Sequence, residues 1–68
     1  MERNNVPVSE RLKSARLELG VSQEQLASAC GISASSVAMY EMGQRVPRDP
    51  IKVVLSKYLG VPIQDLFF

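Results

Sequence analysis

The sequence contains no histidine, no tryptophan and a single cysteine, Cys30. Without histidine or a second thiol, a structural zinc site built from Cys and His cannot be assembled and no internal disulfide can form. Aromatic residues make up only 6% of the chain, so any core must be largely aliphatic. Neither sign of charge dominates: eight basic and seven acidic residues leave a net charge of +1. There is no polybasic tail, and attraction to nucleic acid would have to come from where the charges sit. No apolar run approaches the ~20 residues of a membrane span. The opening Met1-Glu2-Arg3-Asn4-Asn5 lacks the apolar stretch of a secretory signal. A cytoplasmic, reduced protein with no membrane contact is expected. Enzyme chemistry is also poorly provided for: there is no imidazole base, no glycine-rich phosphate loop and no nucleophile beside a base, and the carboxylates form no dyad. The chain is therefore read as a non-enzyme, with no cofactor, metal or small-molecule ligand expected.

What is present is ordinary globular composition, 46% hydrophobic and 22% charged over 68 residues, enough for one domain. A chain this short hides roughly 60% of the surface its unfolded form exposes, so stability should be modest unless it self-associates. Residues 1–8, with paired asparagines and Pro7, show no periodicity and read as a short arm; residues 9–68 read as the domain. No alternating strand pattern and no internal repeat occurs, and the fold class is all-α.

From Ser9 onward, Leu12, Ala15 and Leu19 share one helical face, and Gly20 supplies a left-handed stop. Ser22 and Gln25 form a capping box opening a second helix, whose buried face is Leu26, Ala27 and Cys30. Gly31 breaks it. Ser33 caps a third helix that turns Val37 and Tyr40 inward, and Gly43 stops it. Residues 44–50 hold two arginines and two prolines and read as a loop. Asp49 as N-cap with Pro50 at the first helical position then opens a fourth helix carrying Ile51, Val54, Leu55, Tyr58 and Leu59 as its stripe, closed by Gly60. A last turn from Pro62 to Phe67 covers the core with Ile63 and Leu66.

Two helices joined by a three- or four-residue turn containing glycine form a helix-turn-helix. Such a pair crosses steeply, so a small residue must sit where the backbones approach, and the turn needs a positive φ. Counting Gln23 as the first motif position, Ala27 falls fifth, Gly31 ninth and Val37 fifteenth, with Leu26, Cys30, Ile32 and Tyr40 at the apolar positions between and beyond. Alanine, glycine and valine at this spacing also occur in plain helical bundles; the flanking glycines and the agreeing apolar positions favour the motif.

On these residues the chain resembles the Cro and lambda-repressor family of helix-turn-helix domains, the XRE-type regulators. The matching stretches are Arg11-Leu12-Lys13, Gly20-Val21-Ser22-Gln23, Gln25-Leu26-Ala27, Gly31-Ile32-Ser33, Tyr40-Glu41 with Gly43, Pro47, Leu59-Gly60-Val61 and Asp65-Leu66-Phe67. The resemblance implies a compact five-helix DNA-binding domain whose third helix lies in the major groove, acting as a transcriptional repressor on a palindromic operator. It assigns Gln23, by its side chain and the backbone N–H groups around it, and Ser22 more weakly, to a phosphate. It assigns Ser33, Ala34, Ser35, Ser36, Ala38 and Met39 to the recognition surface, Arg45 and Arg48 to the DNA backbone, and Arg16 with Glu41 to a structural ion pair. Serines at a helix start also serve as caps and solvated surface, and Ser33 caps first. Lys52 and Lys57 read as surface charges, and Cys30 as a buried inert thiol.

The sequence departs from the family at one point. No Arg, Gln or Asn occupies positions 33–39, so the bidentate contacts that specify guanine or adenine are missing there. Serine hydroxyls, Ala34 or Met39 against thymine methyls, DNA shape and bridging water would carry readout. A homodimer on double-stranded DNA is expected, through Phe67 or Phe68, or through Val46, Pro47 and Val61. A second reading stays open, a protein-interaction module that keeps the fold without tight DNA binding; steep salt dependence separates the two.

Overall fold

A computed structural model describes residues 6–68; residues 1–5, most of the expected arm, lie outside the described residues. The described chain forms five helices: α1 (Val8–Leu19), α2 (Gln23–Cys30), α3 (Ala34–Glu41), α4 (Asp49–Leu59) and α5 (Ile63–Phe67). The core is assembled evenly. Leu12, Leu26, Val37, Leu55 and Leu66 are its most completely buried large side chains, one from each helix. Ala15, Ala27, Cys30, Tyr40, Leu59 and Phe67 complete it.

Local sequence accounts for most helix ends. Ser22 Oγ accepts from the Gln25 amide at 3.0 Å while Gln25 Oε1 accepts from the Ser22 amide at 2.8 Å, the reciprocal pair expected of a capping box. Gly31, at φ +72°, takes the left-handed conformation that lets the chain leave α2 and re-enter α3 within a few residues. The Ile32 amide donates back to the Ala27 carbonyl at 3.0 Å, closing the turn and laying Ile32 against the core. Ala27 itself is 2% exposed, as a small residue in the core beside the α2–α3 contact should be.

Besides Leu19, which ends α1 46% exposed although Leu12 and Ala15 are buried, four details differ from expectation. First, α1 begins at Val8, because the Pro7 carbonyl accepts from the amides of Glu10 and Arg11, both at 3.0 Å. Second, the N-cap of α4 is Arg48, whose backbone is extended (φ −70°, ψ 160°), and Asp49 and Pro50 lie inside the first turn. Proline is tolerated there because its missing N–H has no intrahelical acceptor, and the Asp49 carboxylate suits the positive end of the helix. Third, only Leu55 and Leu59 of the α4 stripe are buried; Val54 and Tyr58 remain 38% and 39% exposed. They sit about 100° round the helix from those leucines, at the margin of a contact surface narrower than the apolar stripe. Fourth, Lys52 is not a solvated charge. Its side chain is 13% exposed, with the ammonium over the Phe68 ring at 4.8 Å and near Asp49 at 3.7 Å. Of the two terminal aromatics, Phe67 closes the core and Phe68 is exposed.

Candidate nucleic-acid interface

The outward side of α3 follows from its inward side. Val37 and Tyr40 are anchored in the core, so the helical period places Ser35, Ala38, Met39 and Met42 on the opposite face, at i, i+3, i+4 and i+7. Ser35 and Met42 are exposed, and Ala38 and Met39 half-buried. Met42 is a member that sequence reasoning missed. It ends the helix as C-cap, and a large apolar residue beside a predicted stop gives no outward signal; its 61% exposure does.

The first turn of α3 is a hydroxyl cluster. Ser33 Oγ accepts from the Ser36 amide at 3.1 Å, donates to Ser36 Oγ at 2.9 Å and lies 3.1 Å from Ser35 Oγ. Ser33 is therefore committed to capping, and Ser36 is half-buried against it. Ala34, expected on the recognition surface, is half-buried and packs toward the core. Ser35 is the serine of this turn with its side chain both exposed and outside the cap bond to the backbone.

Beneath this surface lies a buried ionic centre. Arg16 Nε donates to Glu41 Oε2 at 2.7 Å and Arg16 Nη2 to Glu41 Oε1 at 3.2 Å, a two-pronged pair whose side chains are 9% and 3% exposed. Arg16 Nη1 donates to the Val21 carbonyl at 2.9 Å. Its bond to Glu41 outweighs the burial and pushes the guanidinium pKa further up, keeping it charged. The third donor to Glu41 is Gln23, whose Nε2 reaches Oε1 at 3.0 Å. The half-buried Gln23 side chain is thus engaged by Glu41 at the end of α3. A spacing of 18 residues between a glutamine and a glutamate carries no local signal, so the contact was invisible in the sequence. The capping box uses the Gln25 amide, and the Ser22 carbonyl accepts from Leu26, so the amides of Gln23 and Glu24 are not taken up by the cap. The α2 N-terminus can thus still face a phosphate through its backbone.

Arg45 and Arg48 lie in the loop between α3 and α4, both exposed, and neither has a hydrogen bond or ion pair among the described residues. Gln44, also exposed, follows the left-handed turn at Gly43, its amide donating to the Met39 carbonyl at 2.9 Å. Two unpaired guanidinium groups thus stand in the loop that follows α3. Cys30 lies on the inner side of α2, where burial pushes its thiol pKa up. Among the described residues no group of three or more His, Cys, Asp or Glu side chains could hold a metal ion, and no helix is long and apolar enough to cross a membrane.

This geometry matches known proteins. The model of a family described as helix-turn-helix matches residues 12–66. A curated relative, the cryptic phage CTXphi transcriptional repressor RstR of Vibrio cholerae, is 31% identical over 58 residues, which are 85% of this chain and 52% of that protein. The chain thus spans about half the length of that relative. Among solved structures, the restriction-modification controller protein C.AhdI from Aeromonas hydrophila superposes with a TM-score of 0.82 at 33% identity, over 88% of this chain and 87% of that one. With α2 and α3 in the motif geometry and the family model covering residues 12–66, the chain belongs to the helix-turn-helix family, of the XRE type that includes Cro and lambda repressor.

Proposed function

We propose that this chain is a sequence-specific DNA-binding transcriptional regulator, a repressor that binds a palindromic operator as a homodimer, in the cytoplasm, with α3 in the major groove. The observation that carries this reading is the α2–α3 unit. Val37 and Tyr40 lock α3 to the core, the Arg16–Glu41 pair fixes its far end, and the opposite face leaves Ser35 and Met42 exposed with Ala38 and Met39 half-buried beside them. Arg45 and Arg48 then grip phosphates beside the groove, and the backbone N–H groups at the start of α2, near Ser22 and Gln23, hold another. The names of RstR, a transcriptional repressor, and C.AhdI, a controller protein, support a regulatory role.

The dimer rests on a separate feature. Val46 and Phe68 are 75% and 69% exposed, and both border the same side of the molecule around Lys52 and Phe67. Pro47, expected beside Val46, is buried, and Val61 lines a different depression with Arg11 and Asp65. Val46 and Phe68 are therefore the apolar contacts for a second copy. Two half-sites about 34–36 Å apart would then be read by the two α3 helices.

The test is selection of bound duplexes from a randomised pool at low and moderate salt. Enrichment of a short inverted repeat, with affinity falling steeply as salt rises, is the expected result. No enrichment and weak, salt-insensitive binding would instead support a protein-interaction module, the reading to which the net charge of +1 lends weight.

A further inference from the structure

The recognition face has an unusual chemistry. Its four members, Ser35, Ala38, Met39 and Met42, offer one hydroxyl, one methyl and two thioether chains, and no amide or guanidinium. Ser33 and Ser36 are committed to the cap, Ser33 accepting from the Ser36 amide and donating to Ser36 Oγ, while Ser35 Oγ, 3.1 Å from Ser33 Oγ, is the hydroxyl of the outward face. A guanine or an adenine presented to this face meets no two-pronged partner. Thymine differs from the other bases by an apolar group in the major groove, its 5-methyl, which an alanine methyl or a methionine chain can cover. Methionine suits the task because its unbranched, polarisable chain adapts to an uneven surface. Arg45 and Arg48, unpaired in the loop between α3 and α4, supply the charge that brings such a face against a groove.

We infer that α3 reads thymine methyl groups, through Met39, Met42 and Ala38, so that the preferred operator places thymines at the positions facing the middle and C-terminal half of the helix. This rests on the DNA-binding reading above and specifies its ligand. Burying one methyl is worth about a three- to five-fold change in affinity, so two or three such contacts suffice to discriminate moderately against other sequences. The hydroxyl of Ser35 adds a contact that accepts several bases.

Deoxyuridine substitution isolates the claim, since it removes the methyl and leaves Watson–Crick pairing intact. The duplex recovered by selection is rebuilt with deoxyuridine at each thymine in turn, and its affinity for the full chain is measured at fixed salt. The expected result is a loss of about three- to five-fold at two or more positions per half-site. Met42→Ala, a change at an exposed position, should remove one of those sensitivities, so that deoxyuridine at that position no longer weakens binding to the variant. Unchanged affinity after every deoxyuridine substitution would overturn the inference, as would recovered duplexes with guanine or cytosine at these positions. Salt-dependent binding of random duplex with no sequence enriched would overturn it too, leaving DNA binding itself intact. Absence of duplex binding at low salt would overturn both readings together.

Discussion

At the scale of single residues, Glu41 carries the heaviest responsibility. Its carboxylate is 3% exposed and satisfied by two nitrogens of Arg16 and one of Gln23. Removing a partner from a buried pair strands the other charge, at a cost of about 3–5 kcal/mol. The whole stability expected of a domain this size is roughly 3–10 kcal/mol. Arg16→Ala should therefore remove about a third or more of that stability and lower the melting point by more than about 10 °C, as circular dichroism during a thermal scan would show; a melting point within a few degrees of the parent would mean the pair is dispensable. Gln23→Met keeps the side-chain stem and removes one neutral donor, so the loss should be nearer ~1 kcal/mol by urea denaturation. Its binding to random duplex should be little changed, because the side chain is engaged with Glu41; a ten-fold loss would restore Gln23 to the phosphate contacts. For Cys30 the sign is set by burial. The folded thiol pKa lies above its ordinary value, so the contribution to stability is present below the unfolded thiol pKa of about 8.5 and is lost as pH rises through the folded value. Thiol-specific reagents should accordingly label the native protein slowly at neutral pH and rapidly in urea.

At the scale of elements, the turn between α2 and α3 is governed by backbone conformation. A Cβ added at Gly31 would meet nothing within 4 Å, so the cost of Gly31→Ala is conformational alone, about 1–2 kcal/mol for an L-residue at φ +72°. For a domain of this size that corresponds to a fall in Tm of about 4–8 °C per kcal/mol, readable by calorimetry. The α3–α4 loop has a different duty. Arg45→Ala should weaken binding to every duplex to a similar degree and reduce the salt slope by about one phosphate's share. Ser35→Ala, on the recognition face, should change the ranking of duplexes. Sequence-dependent losses at Arg45, or uniform ones at Ser35, would exchange their roles.

At the scale of the whole molecule, a core to which each helix contributes one fully buried large side chain makes the five helices mutually dependent. No pair of them encloses an apolar interior alone, so unfolding should be a single transition. The Val46 and Phe68 side chains themselves lie outside that core and are available to a second copy. Val46→Asp should shift sedimentation toward monomer and weaken operator binding, with the monomer's Tm unchanged to within a few degrees. Persistence of the dimer would move the interface elsewhere.

Helix positions, caps and the motif were legible in the sequence because they depend on neighbours within about four residues. Ser22 with Gln25, the stops at Gly20, Gly31 and Gly60, and the inward residues Leu26, Ala27, Val37 and Tyr40 all lie where local periodicity puts them. The Arg16–Glu41 pair was legible through resemblance, since nothing local links residues 25 positions apart. What only the tertiary structure decided is of another kind. It tied Gln23 to Glu41, drew Ala34 toward the core, folded Lys52 over Phe68, left Val54 and Tyr58 uncovered and turned Met42 outward. Each depends on how far a neighbouring helix extends and which arc of surface it covers. Those quantities emerge from packing five helices at once, and no periodicity within one helix encodes them.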